Sequence, residues 1–529
     1  MTNLKSQVAR SQMCHRQAGR TRRPPDLVVM AMLLVLAAPL AARNSPRFES
    51  PLALASSDAQ LVEAFSWASR QASAYAFEGD AVGPWFEAAL PGREAFCMRD
   101  VAHQAMGGHA LGLQAHVRNM MGRFAGSISD ARDWCSLWEI DRHSRPAHAD
   151  YRNDRDFWYN LPANFDVLDA CYRMFLWSGD PAYVNDPILL HFYDRTVTDY
   201  VDRWKLGLDQ VMTRPRLVNQ SPAPDPDAKF ARSRGIPGYN EETDDFVAGL
   251  DLLAAQYAGF HAYARIQEAR GNVAAARTWL AKAADVKALV NNRWWDEKSG
   301  RFFDHLTTDY VLAHRSDNGW NSAELYWPVA ADGPRLRGSL TRLVDQIGRS
   351  RSGPIEEQSH HPEILYRYGA PDAAYDQILD LARPDRARRE YPEVPYAIIG
   401  AVATGLMGVG VDPVTPGREA ALLDYFANQF VTTLPQLTAK TAWAELRHLP
   451  VRANDLTVRH DGITATVFTN NRGPAVVWHA AFPGRFDALV VNGNRVKATR
   501  LVLPPGRDVS FARVVVAPGT RAKVEVPAR

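Results

Sequence analysis

Apolar residues recur at intervals of three and four positions from about residue 57 to residue 431, and breakers separate the segments. This spacing predicts helices near 57–77, 99–113, 114–125, 157–178, 184–206, 243–269, 272–293, 320–331, 334–348, 356–369, 371–384, 393–409 and 417–431. Short links alternate with long polar and aromatic loops. Neighbouring helices should therefore pair as hairpins.

Six of the predicted helices follow long loops and open with polar motifs. These motifs are Met98–Asp100, Phe157–Asn160, Asn240–Asp245, Asn318–Asn321, Glu356–His361 and Tyr391–Pro395. Six hairpins, each with one such start, would place all six motifs at one end of a closed helical barrel. We expect that end to be the active face.

After about residue 440 the pattern changes to β-branched runs separated by Asn, Gly and Pro. Asp461-Gly462 and Asn492-Gly493 are strong turn signals within this region. The fold class is therefore predicted as mainly α, an (α/α)6 six-hairpin barrel over residues 44–438 followed by a small antiparallel β-sandwich over 439–529. Trp443, Leu446 and Leu449 make the connection apolar, so the sandwich should pack on the barrel.

The N-terminus has the pattern of a secretory signal peptide. Several arginines precede an apolar run from Leu27 to Leu40, and Ala41-Ala42 offers small residues for cleavage. Residues 1–43 are therefore predicted to be removed, which makes the protein exported, periplasmic or extracellular. The run is too short to favour a membrane span, so the mature chain should have no integral membrane segment.

Charge and composition indicate which classes of partner to expect. With 61 basic and 59 acidic residues the net charge is only +2, which argues against nucleic acid as a partner. The 14 Trp, 18 Tyr and 21 Phe residues supply flat faces that can stack on sugar rings, although most should fill the core. A carbohydrate is the expected partner, whereas the oligomeric state is left open.

Cysteines and histidines give no sign of a cofactor. Cys97, Cys135 and Cys171 form an odd set without metal-ligand spacing. One disulfide could form in an oxidising compartment, but we expect all three cysteines to be buried as small hydrophobes. The histidines show no paired ligand spacing, so we expect neither a metal nor another cofactor.

Cleavage of a glycosidic bond needs one carboxylic acid to protonate the leaving oxygen and a second carboxylate to activate water or attack. The catalytic candidates are Glu242 and Asp245 as the acid, Glu356 and Glu357 as the base, and Asp100 as a third carboxylate. Acidic residues also cap helix N-termini, and that role accounts for at least half of these clusters. The neighbouring Tyr and His residues favour function.

Further polar and aromatic residues in the same motifs and loops are candidates for substrate binding. They are Arg99, His103, Trp138, Trp158, Tyr239, Glu241, Trp320, His360, His361 and Glu393. Each has a structural alternative: a buried ion pair for Arg99 and Asp100, a loop packed by its own aromatics for Trp138, and a pocket wall for Glu393.

Arg99-Asp100, the Asn240–Asp245 segment and the trailing Thr457–Gly462 strand resemble the six-hairpin glycosidase superfamily, which includes α-L-rhamnosidases, trehalases and glucoamylases. In α-L-rhamnosidases Arg-Asp is followed by Glu-Arg, but here Val101-Ala102 follows, so rhamnose specificity is not implied. The resemblance implies an inverting glycoside hydrolase.

Two other classes fit the same residues. A polysaccharide lyase could abstract a proton with Tyr239 or His360 while Asn240 or Arg99 neutralises a uronate. A non-catalytic sugar-binding protein is the third interpretation.

Overall fold

A computed structural model describes residues 48–88, 90–215, 219–220, 233–240, 246–314, 322–349, 354–411 and 430–528. Its helices are α1 (Ala59–Ala74), α2 (Met98–Leu111), α3 (Gln114–Ser127), α4 (Pro162–Ser178), α5 (Ala182–Asn185), α6 (Pro187–Val197), α7 (Asp199–Arg203), α8 (Leu250–Ala269), α9 (Val273–Arg293), α10 (Ala323–Tyr326), α11 (Pro334–Arg349), α12 (Ile355–Tyr368), α13 (Pro371–Ala382) and α14 (Glu393–Ala401). A π-helical turn, Val402–Leu406, continues α14.

Six of these helices form a closed ring. Helices α2, α4, α8, α10, α12 and α14 each contact the next, and α14 returns to α2. The outer helices alternate with them: α3 packs on α2 and α4, α6 on α4 and α8, and α13 on α12 and α14. The (α/α)6 six-hairpin barrel predicted from the sequence is confirmed.

Small residues let α2 and α14 approach closely. A side chain at Gly107 would place its Cβ 2.1 Å from the carbonyl oxygen of Tyr396, and one at Gly400 would lie 3.5 Å from the Gly107 nitrogen. Only glycine fits at position 107, whereas a side chain at position 400 would meet α2 at an ordinary contact distance.

Several predicted helix starts were wrong. Residues 156–160 form the short strands Asp156–Phe157 and Tyr159–Asn160, and α4 begins only at Pro162. The helix predicted over 243–269 begins at Leu250, because Phe246–Gly249 pairs as a strand with His305–Thr307. Tertiary pairing overrode the local helical pattern in both places.

Proline and strand pairing explain other differences. Pro187 starts α6 and divides the helix predicted over 184–206. The helix predicted over 320–331 is reduced to the four residues of α10. The helix predicted over 417–431 lies outside the described residues except at its end, where Phe430–Thr433 is a strand. The predicted signal peptide also lies outside them.

Short strands line the loops of the barrel: Ala76–Phe77, Trp85–Phe86, Ala95–Cys97, Glu139–Asp141, Tyr151–Asn153, Asn219–Gln220, Ser233–Ile236, Trp295–Asp296, Arg301–Phe302 and Leu312–Ala313. Ala95–Cys97 pairs with Glu139–Asp141 immediately before α2. This pairing fixes the direction in which the chain enters α2.

Two sheets form the C-terminal region. The first has seven strands in the order Ala53–Ser56, Trp443–Val451, Asn454–Asp461, Ala465–Arg472, Thr520–Glu525, Ala488–Val491 and Asn494–Lys497. The second has four in the order Phe430–Thr433, Val476–Pro483, Arg507–Val516 and Thr499–Leu503. The β region is confirmed, with two corrections: Phe430–Thr433 pairs parallel to Val476–Pro483, and the first strand comes from before α1.

The C-terminal sheets pack against the ends of inner helices. The Arg452 amide donates to the carbonyl of Trp177 (2.6 Å), a His109 ring nitrogen lies 3.0 Å from the carbonyl of Pro450, and one of His460 lies 3.0 Å from that of Met407. Because His109, Trp177 and Met407 are C-terminal in their helices, these sheets lie away from the helix starts. No helix in the described ranges combines the length and the apolarity that crossing a bilayer would require.

Candidate functional site

The N-terminal ends of the inner helices carry a group of buried polar side chains that we call the buried cluster: Asp100 and His103 of α2, Asp166 of α4, His360 of α12 and Glu393 of α14. Four inner helices contribute to it, so the closure of the ring brings together residues that are far apart in sequence.

His103 lies at the centre of the buried cluster. Its Nδ1 is hydrogen-bonded to Glu393 Oε1 at 2.9 Å, and its Nε2 lies 2.7 Å from Asp166 Oδ2. Burial lowers the pKa of His103, but Asp166 and then Glu393 outweigh burial and raise that pKa to about 9. His103 is therefore a cation at neutral pH.

Glu393 and Asp100 are the two carboxyl groups beside this cation and Arg99. Burial, and next the charge of Asp100, raise the pKa of Glu393 to about 7, against the opposing effect of His103. Asp100 accepts a hydrogen bond from the Tyr391 hydroxyl, and Arg99 Nη2 lies 3.6 Å from its other oxygen. Glu393 can therefore hold a proton near neutrality, while the contacts of Asp100 stabilise negative charge.

Aromatic side chains surround these charges. The Tyr239 hydroxyl donates to Asp166 Oδ2 at 3.0 Å, and the Arg99 guanidinium lies 5.5 Å from the Tyr239 ring and 6.0 Å from the Trp138 ring. Tyr326 meets the His103 ring edge-on with centroids 5.3 Å apart. The site thus combines flat faces with charged hydrogen-bonding groups.

His360 is the second imidazole of the cluster, with its ring centroid 4.4 Å from that of His103. Burial, and then the charge of His103, lower the pKa of His360 well below its ordinary value, so His360 is neutral. In the described part of the chain, His103, His360 and Glu393 have ligand atoms within 4.8 Å of one another, close enough for one metal ion. Both ring nitrogens of His103 already face carboxylate oxygens, those of Glu393 and Asp166, so the arrangement is that of an imidazole hydrogen-bonded between two carboxyl groups.

The structure brings together Arg99, Asp100, His103, Trp138, Tyr239, His360 and Glu393 from the predicted site residues. Glu356 instead forms an ion pair with the half-exposed Arg388 at 2.6 Å. Glu357 is buried one turn before His361, with 4.0 Å between their polar atoms, and Trp158 is buried with its amide bonded to the Asp150 carbonyl. Glu241, Glu242, Asp245 and Trp320 lie outside the described residues.

Sequence reasoning missed Asp166. It lies in the apolar stretch Phe165–Leu168 of α4 and is completely buried. An acidic residue inside such a stretch was the available signal, because a buried carboxylate needs a partner. Tyr391 was noticed only as part of its motif. The three cysteines are buried and unbridged, as predicted.

The chain is similar to known proteins in structure only. No protein-family model and no curated protein sequence matches it. An α-L-rhamnosidase from Dictyoglumus thermophilum superposes with a TM-score of 0.56 at 13% identity, covering 90% of this chain and 51% of that one. The α-L-rhamnosidase from Aspergillus terreus gives 0.52 at 13% identity, covering 88% and 50%.

A putative kojibiose phosphorylase from the human microbiome gives a TM-score of 0.53 at 9% identity, covering 89% of this chain and 63% of that one. The chain thus spans between half and two thirds of the length of these proteins. Taken with the closed ring of inner helices, these likenesses show that the chain shares the (α/α)6 six-hairpin barrel fold of these proteins.

Proposed function

We propose that the protein is a glycoside hydrolase that cleaves an O-glycosidic bond of an oligosaccharide or polysaccharide. The observation that carries the proposal is that Asp100 and Glu393 lie in one cluster but in different surroundings: the pKa of Glu393 is raised to about 7, whereas Asp100 contacts Arg99 and the Tyr391 hydroxyl. Two nearby carboxyl groups in different surroundings are what general acid and base roles require.

Glu393 is the proposed general acid. Its raised pKa, about 7, leaves it protonated in much of the enzyme near neutrality, so it can protonate the leaving oxygen. Asp100, which faces Arg99 and the Tyr391 hydroxyl, is the proposed charged partner. It can activate water or stabilise the positive charge that develops on the sugar ring.

The proposed entry for substrate is the side of Arg99. The Arg99 side chain is 13% exposed, whereas those of Asp100 and Glu393 are 2% and 1% exposed. The rings of Trp138 and Tyr239 lie beside Arg99 and offer faces for a sugar ring, while Arg99 can donate to hydroxyl or carboxylate oxygens.

Glu242, Asp245, Glu356 and Glu357 are the competing carboxylates, with Glu242 or Asp245 as acid and Glu356 or Glu357 as base. The test compares Glu393→Gln and Asp100→Asn with Glu242→Gln, Asp245→Asn, Glu356→Gln and Glu357→Gln on one active glycoside. We expect the first two variants to lose the most turnover while the fold, followed by circular dichroism, is kept. A larger loss in the second group would move the catalytic pair there.

The substrate and the stereochemistry are tested by a screen of aryl glycosides and glycans with product analysis by NMR. We propose inversion, so the first product formed should have the opposite anomeric configuration to the substrate. Retained configuration would contradict inversion. A screen without any released sugar would contradict the hydrolase proposal and favour a sugar-binding protein.

A polysaccharide lyase is the second candidate, favoured by one observation. His360 is neutral and so can accept a proton, and Arg99 can neutralise a uronate carboxylate. A lyase would release an unsaturated product that absorbs in the ultraviolet, whereas a hydrolase would not.

We also propose that the protein is exported after removal of residues 1–43. Mass spectrometry of the protein recovered from the periplasm or medium should give a mature N-terminus close to Asn44. Recovery of the full-length chain from the cytoplasm would contradict export.

A further inference from the structure

His103 is buried between two carboxyl groups from two other helices. The side chains of His103 and Asp166 are 0% exposed, and that of Glu393 is 1% exposed. We propose that Asp166 and His103 form a positioning pair, which holds the Glu393 carboxyl in one orientation and keeps a positive charge beside it.

The geometry leaves the His103 ring little freedom. Helix α2 carries the ring, α4 supplies Asp166 on the Nε2 side, and α14 supplies Glu393 on the Nδ1 side. Asp166 is itself held by the Tyr239 hydroxyl at 3.0 Å. A ring flip would exchange both contacts at once, so the pair fixes the Glu393 oxygen that it binds.

Edge contacts hold the plane of the same ring. The rings of His360 and Tyr326 meet it at centroid distances of 4.4 and 5.3 Å with interplanar angles of 81° and 73°. Because these neighbours come from α12 and α10, the imidazole is enclosed by five of the six inner helices. A ring held at both nitrogens and on its faces is well placed to orient another group.

The charged and titratable groups that face Glu393 and His103 are Arg99 and Asp100 of α2, Asp166 of α4, Tyr239, Tyr326 of α10, His360 of α12 and Tyr391. Burial and Asp100 raise the pKa of Glu393, whereas His103 and Arg99 lower it. Without the imidazolium, Glu393 would bind its proton more tightly. A general acid that binds its proton more tightly transfers it less readily to the leaving oxygen.

The first experiment needs no substrate and so stands apart from the proposed hydrolase activity. The protein is labelled at the histidine Cε1 carbons, the His103 signal is assigned by its loss in His103→Gln, and its shift is followed with pH. We expect His103 to stay charged through pH 8 and to titrate near 9. In Asp166→Asn, which keeps the side-chain shape, its pKa should fall. A His103 that is neutral at pH 7 in the unmodified protein would overturn the proposal.

The second experiment reads catalysis, and this part rests on the proposed role of Glu393. His103→Gln and Asp166→Asn should lower kcat by about 100-fold, as expected for a misplaced catalytic group, with KM nearly unchanged. The alkaline limb of the pH profile should move upward by about one pH unit in His103→Gln, because the charge that lowers the pKa of Glu393 is gone.

The matched control is His109→Gln, which removes a buried histidine from the same helix near the Pro450 carbonyl. His109→Gln should change neither kcat nor the position of the alkaline limb of the pH profile. An unmoved limb in His103→Gln, or a rise in KM at constant kcat, would overturn the positioning role. Melting temperatures identify any variant that fails to fold. If His103→Gln does not fold, the kcat and KM of Asp166→Asn test the positioning role instead. If no substrate is found, the NMR titration still confirms or overturns the charged pair.

Discussion

Helices α4 and α12 carry charged groups at two successive turns, and the two sets of groups have different roles. At the upper level Asp166 of α4 and His360 of α12 belong to the buried cluster. One turn further, Asp169 pairs with Arg173 at 3.0 Å on α4, and Glu363 pairs with Arg367 on α12. We call these four residues the lower network.

The difference between the levels is one of charge balance. The lower network has two carboxylates and two guanidiniums, and a guanidinium stays charged at any ordinary pH. The buried cluster, with Arg99 beside it, has three carboxyl groups against one guanidinium and one charged imidazole, that of His103, because His360 is neutral. A surplus buried carboxyl must hold a proton, and a group that exchanges a proton near neutrality can do chemistry. The same kinds of residue thus give a structural network at one level and a candidate active site at the other.

The sharpest test of this comparison makes the same substitution at both levels. Glu393→Gln should reduce kcat/KM by about 1000-fold, because the amide cannot donate the acidic proton. Glu363→Gln should change kcat/KM by no more than about threefold, since it touches the lower network only. Steady-state kinetics of both variants on one glycoside measure the two losses. Equal losses in both variants would erase the distinction between the levels.

The free energy of unfolding should depend on the lower network more than catalysis does. Arg367 donates to the Leu325 carbonyl at 3.2 Å as well as to Tyr326 and Glu363. Arg367→Gln should therefore destabilise the protein by about 2 kcal/mol, because it leaves two backbone acceptors unsatisfied and the half-buried carboxylate of Glu363 uncompensated. Denaturant unfolding measures the change. A stability equal to that of the unmodified protein would show that the lower network is dispensable.

The pH dependence of turnover should depend on the buried cluster and not on the lower network. The pKa of Glu393 in the folded protein is raised to about 7, so its acid form predominates below that pH and is lost above it. We expect kcat/KM to fall with rising pH through about 7, approaching tenfold per unit, and Glu363→Gln to keep the same limb. A profile that stays flat from pH 6 to pH 9 would contradict the role of Glu393.

The smallest effect is expected at the surface. Arg388, whose side chain is 49% exposed, forms an ion pair with Glu356 at 2.6 Å. Arg388→Gln should cost less than about 1 kcal/mol, because water already solvates the guanidinium. Thermal unfolding at low and high salt checks this. A loss as large as that of Arg367→Gln would mean that exposure does not separate these pairs.

The fold was accessible from the sequence because helical periodicity and alternating connection lengths are local signals. Asn492-Gly493 likewise predicted its hairpin, and both residues adopt positive φ between paired strands. The starts of α4 and α8 were not predicted, because Phe246–Gly249 becomes a strand only through its pairing with His305–Thr307. The predicted boundary between residues 438 and 439 remains a prediction.

The site was predictable only in part. Arg99-Asp100 and Glu393 could be found because they open inner helices, where the barrel geometry gathers them. Asp166 lies inside α4, and its role depends on His103 across the axis, a contact that no local pattern encodes. The proton affinity of Glu393 depends on the same long-range neighbours.

The strand Ala53–Ser56 has a consequence for the order of folding. It pairs with Trp443–Val451, Ala53 opposite Arg447, so the sheet joins parts of the chain that are synthesised far apart in time. Loop closure on this scale is slow, and the edge of the sheet must wait until the strand Trp443–Val451, which begins about five sixths of the way along the 529-residue chain, has been made. The early segment therefore has no partner for this edge of the sheet until most of the chain has been synthesised.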